Sequence, residues 1–535
     1  METRKPLMKR MPTGKFKMQD FQREDLTFLT ELENSANWSE MGAMKTTTAE
    51  WLAQHKVSHI PNPRVLVITT KSGKGTYLES LWEVLPDWEV FTVSTKGTNL
   101  VVGGRPVPYN LNMPNPLFFR PVVAVAHYHC FTNRACIPAP VKEKDENGIT
   151  RNKMNPDGTF EMNFPSCYHL LQKHWDMVIV DEAHRIKNPD AQWTRNIKKI
   201  KTKYRHAMTG TGFINDPSEI WSILNWLYPE VYTSYWKFRE KYCLEEDYGG
   251  YRKVTGIDPH HEDEFKDLIR RVGVRRTMRE CFPDIQKPVE TKIPVDLNGI
   301  QRKMYEEIQM DLMTLDAMGT PLHSPNVLSM LNRLRQIAVA TPEVTGDHYD
   351  ELLQKRVVTV KLREPSTKLD AVMETIEGME WDKDSREQVV VFSAFRDPLE
   401  LLKARLDKKG IPYLHLHAGM NDDDRYKMWH DTWPKKEHRV FLCTLAVGSE
   451  SINLTSAHRA IFLDQSWSPK DNSQAIGRIY RPGQTEVAQI IYIRAEGTID
   501  DRILSKNAEK RGWFKQLFGG ASDEIDEDDN EDEEE

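Results

Sequence analysis

The stretch WDMVIVDEAHRIKNP ends an apolar run on two carboxylates, Asp181 and Glu182. Carboxylates at the C-terminal edge of a buried parallel strand stand where open α/β sheets bind ligands. An Asp there can hold Mg2+, and the Glu beside it can orient and deprotonate an attacking water. Taken alone, the pair has a less favoured alternative, an accidental polar strand cap or salt-bridge cluster. A second signature lies 136 residues earlier, in SEMGAMKTTTAEWLAQ. Gly42 lets the backbone approach phosphates, Lys45 can reach the β- and γ-phosphates, and Thr46 offers Mg2+ a hydroxyl. The candidate phosphate loop thus comprises Gly42, Ala43, Met44, Lys45, Thr46 and Thr47. The helix after it would direct its positive end at the phosphates. Met44 stands where a strict loop of this kind has Gly before the Lys. Its side chain has to point away from the phosphate, and a positive φ there would be strained. The third signature is SQAIGRIYRPGQT, in which Arg478 and Arg481 are three apart. On a helix both would face one side and could donate charge-assisted hydrogen bonds to a γ-phosphate; the alternative is a solvated basic face.

Positioning these groups requires two sets of strands. RVLVITT, PVVAVAHY, DMVIVDEAH and YRHAMTGTG form one set, and QVVVFSAF, YLHLHAG, RVFLCTLAVG, RAIFLDQS and AQIIYIRAEGT the other. Continuous Val/Ile/Leu runs suit parallel strands covered on both faces. Amphipathic stretches between them (399–409 and 471–480) make the alternation that predicts doubly wound α/β layers. The phosphate loop and acidic pair belong to the first set and the arginines to the second. The expectation is therefore a site in the cleft between two lobes, complete when they close. Residues 213–380 read as mostly helical, and 141–166 as a long polar loop.

Composition narrows the class. Of 535 residues 39% are hydrophobic and 29% charged, and no run approaches the ~20 apolar residues of a membrane span. The basic N-terminus lacks the apolar segment of a signal peptide. The six cysteines show no metal-binding spacing and read as reduced thiols of a cytoplasmic protein. The last 13 residues, DEIDEDDNEDEEE, hold 11 acidic side chains and no basic one, so the net charge of −7 becomes +4 without them. A mildly basic body permits polyanion binding. The tail reads as a disordered solubilising extension or as a nucleic-acid mimic competing for a basic groove.

The ordered motifs resemble those of the SWI/SNF-type ATPases of helicase superfamily two over roughly residues 16–510. FKMQDFQREDLTFL resembles the family's adenine-contacting segment, with Gln22 at its Gln, and SEMGAMKTTT resembles its DEMGLGKT loop. MTGTGFINDPSEIWSILNWLYP, RRVGVRRTMRECFPDIQKP, LNRLRQIA, VFSAFRDPLELL, LHAGM and VGSESINLTSAHRAIFLDQSWSPKDNSQAIGRIYRPGQT resemble later motifs in order. The departures are Met44, Gly212, Ser449 and Ser451, none of which removes a charged catalytic group. The resemblance implies two RecA-like lobes: 1–285 with a helical insertion about 229–285, and 286–512 with one about 296–345, followed by an acidic tail at 513–535. It implies ATP and Mg2+ as cofactors and ATP-driven movement on duplex DNA, in replication, recombination, repair or remodelling. A bacterial or viral monomer acting in the cytoplasm is expected, with the nucleus as a further possibility for its location. Gln22 would read adenine, Lys45 and Thr46 hold phosphate and Mg2+, Asp181 hold Mg2+ and Glu182 position water. Gln474, Arg478 and Arg481 would complete the γ-phosphate site. Thr209, Gly210 and Thr211 would couple the site to the DNA. Lys71, Arg275, Arg276 and Trp467 are candidate DNA contacts; for Lys71 a plain surface charge, for the arginines a salt-bridged helix face and for Trp467 core packing are the competing readings. Two other functions compete: a nucleotide-dependent DNA-binding module whose turnover Met44 blocks, and an RNA-directed helicase.

Overall fold

The computed structural model describes residues 17–518 apart from 72, 96, 103–104, 110–119, 145–149, 158, 211–215, 249, 318–324, 351–354, 382–385, 418 and 449–451. Thr211, Gly212, Ser449, Ser451 and the acidic stretch from Asp523 therefore lie outside the described residues. The chain divides into two units, one of residues 1–277 with 513–520 and one of 278–512 with 521–535.

The sheet of the first unit takes its strands in chain order from β1 (Ser35–Asn37), β2 (Arg64–Thr69), β3 (Glu89–Ser94), β4 (Gly97–Val102), β5 (Arg105–Tyr109), β6 (Val122–His127), β7 (Trp175–Asp181), β8 (Thr202–Met208) and β9 (Gly273–Val274). They lie side by side as β9-β1-β8-β7-β2-β6-β3-β4-β5, parallel except for the antiparallel pairs β3–β4 and β4–β5. The apolar runs form central strands because both faces are covered. Leu66, Ile68, Val178 and Val180 enter one core, while Val65, Val67, Met177 and Ile179 enter another. Strand alternation sends successive side chains to opposite faces, so a continuous apolar run supplies both cores at once.

The sheet of the second unit is built from β10 (Val289–Val295), β11 (Val389–Ser393), β12 (Tyr413–Leu416), β13 (Val440–Thr444), β14 (Arg459–Phe462) and β15 (Gln489–Ala495). Their order is β10-β15-β14-β11-β13-β12, and every pairing is parallel. The two faces again divide one run: Val390 and Phe392 against Val389 and Val391. The expected α/β class with two parallel-sheet lobes is the fold of the chain.

Three expectations are corrected and one is refined. The mostly helical middle region also holds two antiparallel hairpins, Cys243–Tyr248 with Tyr251–Ile257 and Thr341–Asp350 with Lys355–Arg363. At the first, Gly250 takes φ +93 and Asp247 Oδ1 accepts from its N–H, beside the hairpin within what reads as a helical insertion. The polar stretch 141–166 is not a bare loop, since Lys142–Lys144 pairs with Thr150–Asn152 and Ala139–Pro140 with Met162–Asn163. The first unit ends at Thr277 rather than 285, because Met278, Phe282 and Ile285 pack into the second unit's core. The helix Ile499–Phe518 runs through the start of the expected tail, where buried Leu517 joins the first unit's core and partly buried Trp513 packs against it.

Candidate active site

Strand register brings the chemistry of the first unit to one edge. Asn37 lies opposite Met208, and Met208 opposite Asp181, so β1, β8 and β7 end level. The phosphate loop leaves the end of β1, Thr209 that of β8 and Glu182 that of β7. β2 ends on the same edge, and Thr69 Oγ1 donates to Asp181 Oδ2 at 2.9 Å.

From β1 the chain turns through Gly42, at φ +83, into the helix α2 (Lys45–Lys56). Met44 is its N-cap, at φ 52 and ψ 30, with no side-chain cap bond. The left-handed conformation that favours Gly is thus imposed on Met44, at a cost of roughly 1–2 kcal/mol. The surrounding bonds hold it there. Its carbonyl accepts from Thr47 Oγ1 and Thr48 Oγ1, both at 3.1 Å, and from Gln22 Nε2 at 3.4 Å. With no side chain capping it, the first turn of α2 presents backbone N–H groups to an anion.

Gln22 sits on helix α1 (Asp20–Glu31), fully buried. Its Nε2 also donates to Thr47 Oγ1 (3.0 Å) and Thr48 Oγ1 (2.9 Å), and its Oε1 accepts from the Gln19 N–H. The structure thus places the expected adenine reader against the start of α2. Lys45 Nζ donates to the carbonyls of Ser39 and Glu40, each at 2.7 Å. Burial lowers its pKa, opposed by the charges of Glu182, Asp181 and Glu40. Burial and the adjacent Glu182 raise Asp181 to about 7, while the Thr69 hydrogen bond and Lys45 pull it down. The lysine and the two carboxylates therefore share one electrostatic field.

Sequence reasoning leaves His184 without a role. In the structure it is buried, with Nδ1 3.1 Å from Thr209 Oγ1 and 3.2 Å from Glu182 Oε2. Thr209 N–H donates to Asn37 O at 3.0 Å, so the residue after β8 touches both the phosphate-loop strand and, through His184, the candidate water-positioning carboxylate. Adjacency in DEAH is the only sequence signal for this link.

Arg275 and Arg276, candidate DNA contacts, are engaged within the first unit. Gly273 and Val274 add β9 beside β1, a close approach that only Gly permits, since a Cβ at 273 would overlap the Ala36 carbonyl. The strand then delivers Arg275 Nη2 to Glu40 Oε1 (3.2 Å) and Nη1 to Trp38 O (3.3 Å). Arg276 reaches Asp25 (2.9 Å) and Glu24 (2.8 Å). Only 11% of the Arg275 side chain is exposed. The pair braces the phosphate loop and α1. Lys71, by contrast, is exposed just past the end of β2.

In the second unit Gln474 is buried on helix α3 (Pro469–Ile476). The expectation that Arg478 and Arg481 share a helix face is corrected: α3 stops at Ile476 with Gly477 as C-cap, and both arginines lie in the turn beyond it. Gly477 and Pro482 flank a segment that cannot extend the helix. The turn is tied to the segment before β14, because Leu454 N–H donates to Arg478 O (3.0 Å) and Arg481 Nη1 donates to Ile452 O (3.2 Å). Trp467, partly buried, packs against the cluster of Leu297, Tyr305 and Leu334.

Residues 158–342 match the family model of the SNF2-related domain, and residues 367–483 match that of the helicase conserved C-terminal domain. Together these spans exceed half of the chain. An ISWI chromatin-remodeling complex ATPase, CHR11 of Arabidopsis thaliana, is 26% identical over 363 residues, 66% of this chain and 32% of that protein. The DNA repair and recombination protein RAD26 of Saccharomyces cerevisiae is 26% identical over 360 residues, 65% of this chain and 31% of that protein. The chain thus spans about a third of the length of the curated relatives it matches. A solved structure, the Sulfolobus solfataricus SWI2/SNF2 ATPase core in complex with dsDNA, aligns over 95% of this chain and 94% of that one, at 21% identity and a TM-score of 0.39.

Proposed function

We propose that this chain, which belongs to the SWI/SNF-type ATPases of helicase superfamily two, hydrolyses ATP and uses the energy to move along duplex DNA. The observation that carries the reading is the level ending of three strands that gathers Lys45, Asp181, Glu182 and the Thr209–His184 link at one sheet edge.

The residues fit ATP with Mg2+. A half-buried lysine already satisfied by two carbonyl oxygens, and a helix start without a side-chain cap, suit a polyphosphate. Mg2+ is commonly held by one or two carboxylates together with substrate phosphates, so Asp181 with Thr46 is an adequate protein contribution. Bound there, the ion would neutralise charge developing on the phosphates. Lys45 would exchange the carbonyls of Ser39 and Glu40 for phosphate oxygens. Glu182 would accept the proton of the attacking water, its carboxylate aimed by His184. Gln474, Arg478 and Arg481 are the donors we assign to the γ-phosphate, with Gln22 fixing the start of α2 beneath the nucleotide.

Duplex DNA is the substrate track this reading favours, with exposed Lys71 the first candidate backbone contact and Thr209, Arg275 and Arg276 further candidates in the first unit; phosphate contacts of this kind carry no sequence information. Replication, recombination, repair and remodelling all remain within the proposal, as do a monomeric state and a cytoplasmic setting. ATP hydrolysis by the parent and by Lys45→Ala tests it: the parent should turn over ATP and the variant should not. Equal rates would remove Lys45 from the site.

A further inference from the structure

Tyr128 stands one residue beyond β6 and is 2% exposed. β6 does not neighbour β7, because β2 lies between them. The Tyr128 hydroxyl nevertheless reaches the chain leaving β7, where it donates to the carbonyl oxygens of Asp181 (2.5 Å) and Glu182 (3.2 Å). Its ring is fixed from two other sides. Trp193 meets it edge-on with centroids 6.4 Å apart, and the Arg185 guanidinium lies 5.7 Å from its centroid.

The chain needs holding at this point. Glu182 takes φ 51 and ψ 48, a left-handed conformation that disfavours residues with side chains. It breaks β7 abruptly and starts the short 3-10 turn Ala183–Ile186. In that conformation two consecutive carbonyls converge on one side of the chain, where the phenol meets both. Burial, and then the Asp181 charge, keep the phenol far from ionising, so it remains a donor.

We propose that Tyr128 is a positioning residue for Glu182: its hydroxyl, shared between two consecutive carbonyls, fixes the Asp181–Glu182 peptide and hence the direction in which the Glu182 carboxylate leaves the backbone. His184 holds the carboxylate end of that side chain and Tyr128 its backbone end. Two fixed ends define the aim of a general base better than one, and small misplacement of such a group costs rate rather than substrate affinity. The inference rests on the reading that Glu182 serves ATP hydrolysis.

The test is Tyr128→Phe in the full chain, which keeps the ring and its contacts with Trp193 and Arg185 and removes only the hydroxyl. Rates are measured with saturating duplex DNA, well below the variant's melting transition. We expect kcat to fall roughly tenfold and KM for ATP to stay within about twofold. The double variant Tyr128→Phe with Glu182→Gln should hydrolyse ATP no more slowly than Glu182→Gln alone, since a group that acts through Glu182 has nothing left to aim. An unchanged kcat, a KM that rises with the loss of kcat, or a further drop in the double variant overturns the assignment. If the parent hydrolyses ATP and Glu182→Gln does not, while Tyr128→Phe matches the parent, only the role of Tyr128 fails. A parent that hydrolyses no ATP overturns both this role and the functional reading.

Discussion

The two units fix their candidate site residues in opposite ways. In the first, Asp181 and Glu182 lie at and just beyond the end of β7, Lys45 opens the helix that follows β1, and both left-handed residues are clamped: Met44 by Gln22 and two threonines, Glu182 by Tyr128 and His184. In the second, Arg478 and Arg481 sit in an irregular turn after an eight-residue helix, tied to another non-helical segment. Both residues with a side chain and positive φ at the site, Met44 and Glu182, are in the first unit. Strained backbone at strand ends suits groups that must not move, whereas an irregular turn beyond a helix suits groups that act only when nucleotide and track are in place.

The contrast predicts graded losses. Glu182→Gln should reduce the ATPase rate by roughly 10³-fold, the size of effect expected for a general base. Arg478→Ala should cost roughly 10²-fold, as for loss of one donor to developing charge. Steady-state rates at saturating DNA and ATP measure both, and equal losses would erase the distinction between a clamped centre and an accessory turn.

A smaller effect separates bracing from DNA contact. Arg275→Ala should leave Glu40 and the Trp38 carbonyl without their guanidinium partner, destabilising the first unit by about 1–3 kcal/mol and raising KM for ATP. DNA affinity at fixed salt should be unchanged. A selective loss of DNA binding with normal melting would restore the DNA role that the ion pairs argue against.

The smallest effect concerns acid. Burial lowers the pKa of His206 to about 3 and those of His127 and His169 to about 4 in the first unit, against His415, at about 4, and His458, lowered in the same direction, in the second. A histidine that is neutral when folded but titrates near 6.5 when unfolded leaves stability intact above 6.5 and withdraws it as pH falls towards the folded value. For fully buried His206 the slope is on the order of 1.4 kcal/mol per pH unit. Hydrogen exchange followed by mass spectrometry between pH 6.5 and 4 should show the first unit losing protection before the second. Simultaneous loss would contradict the difference.

How much of this was legible in the sequence depends on range. The apolar runs carry their strands openly, because two-sided burial demands continuous Val, Ile and Leu. The acidic strand end and the lysine loop carry their chemistry in adjacent residues. Strands of two or three residues, such as β1 and β9, have no periodicity to read, and Gly273 reveals its purpose only beside the Ala36 carbonyl. The Arg275–Glu40 pair joins residues 235 apart, and Tyr128 reaches Asp181 across an intervening strand. The arginines misled in the other direction. Three-residue spacing suggests one helix face, but Gly477 ends the helix before the first of them.

The central claim is an ATPase driven by duplex DNA. Its most direct test is the ATP hydrolysis rate of the full chain, measured alone and with duplex DNA, single-stranded DNA or RNA at one fixed salt concentration. The account predicts a low basal rate that rises sharply with duplex DNA and far less with RNA. ATP binding without turnover under all four conditions, or stimulation by RNA alone, would contradict it.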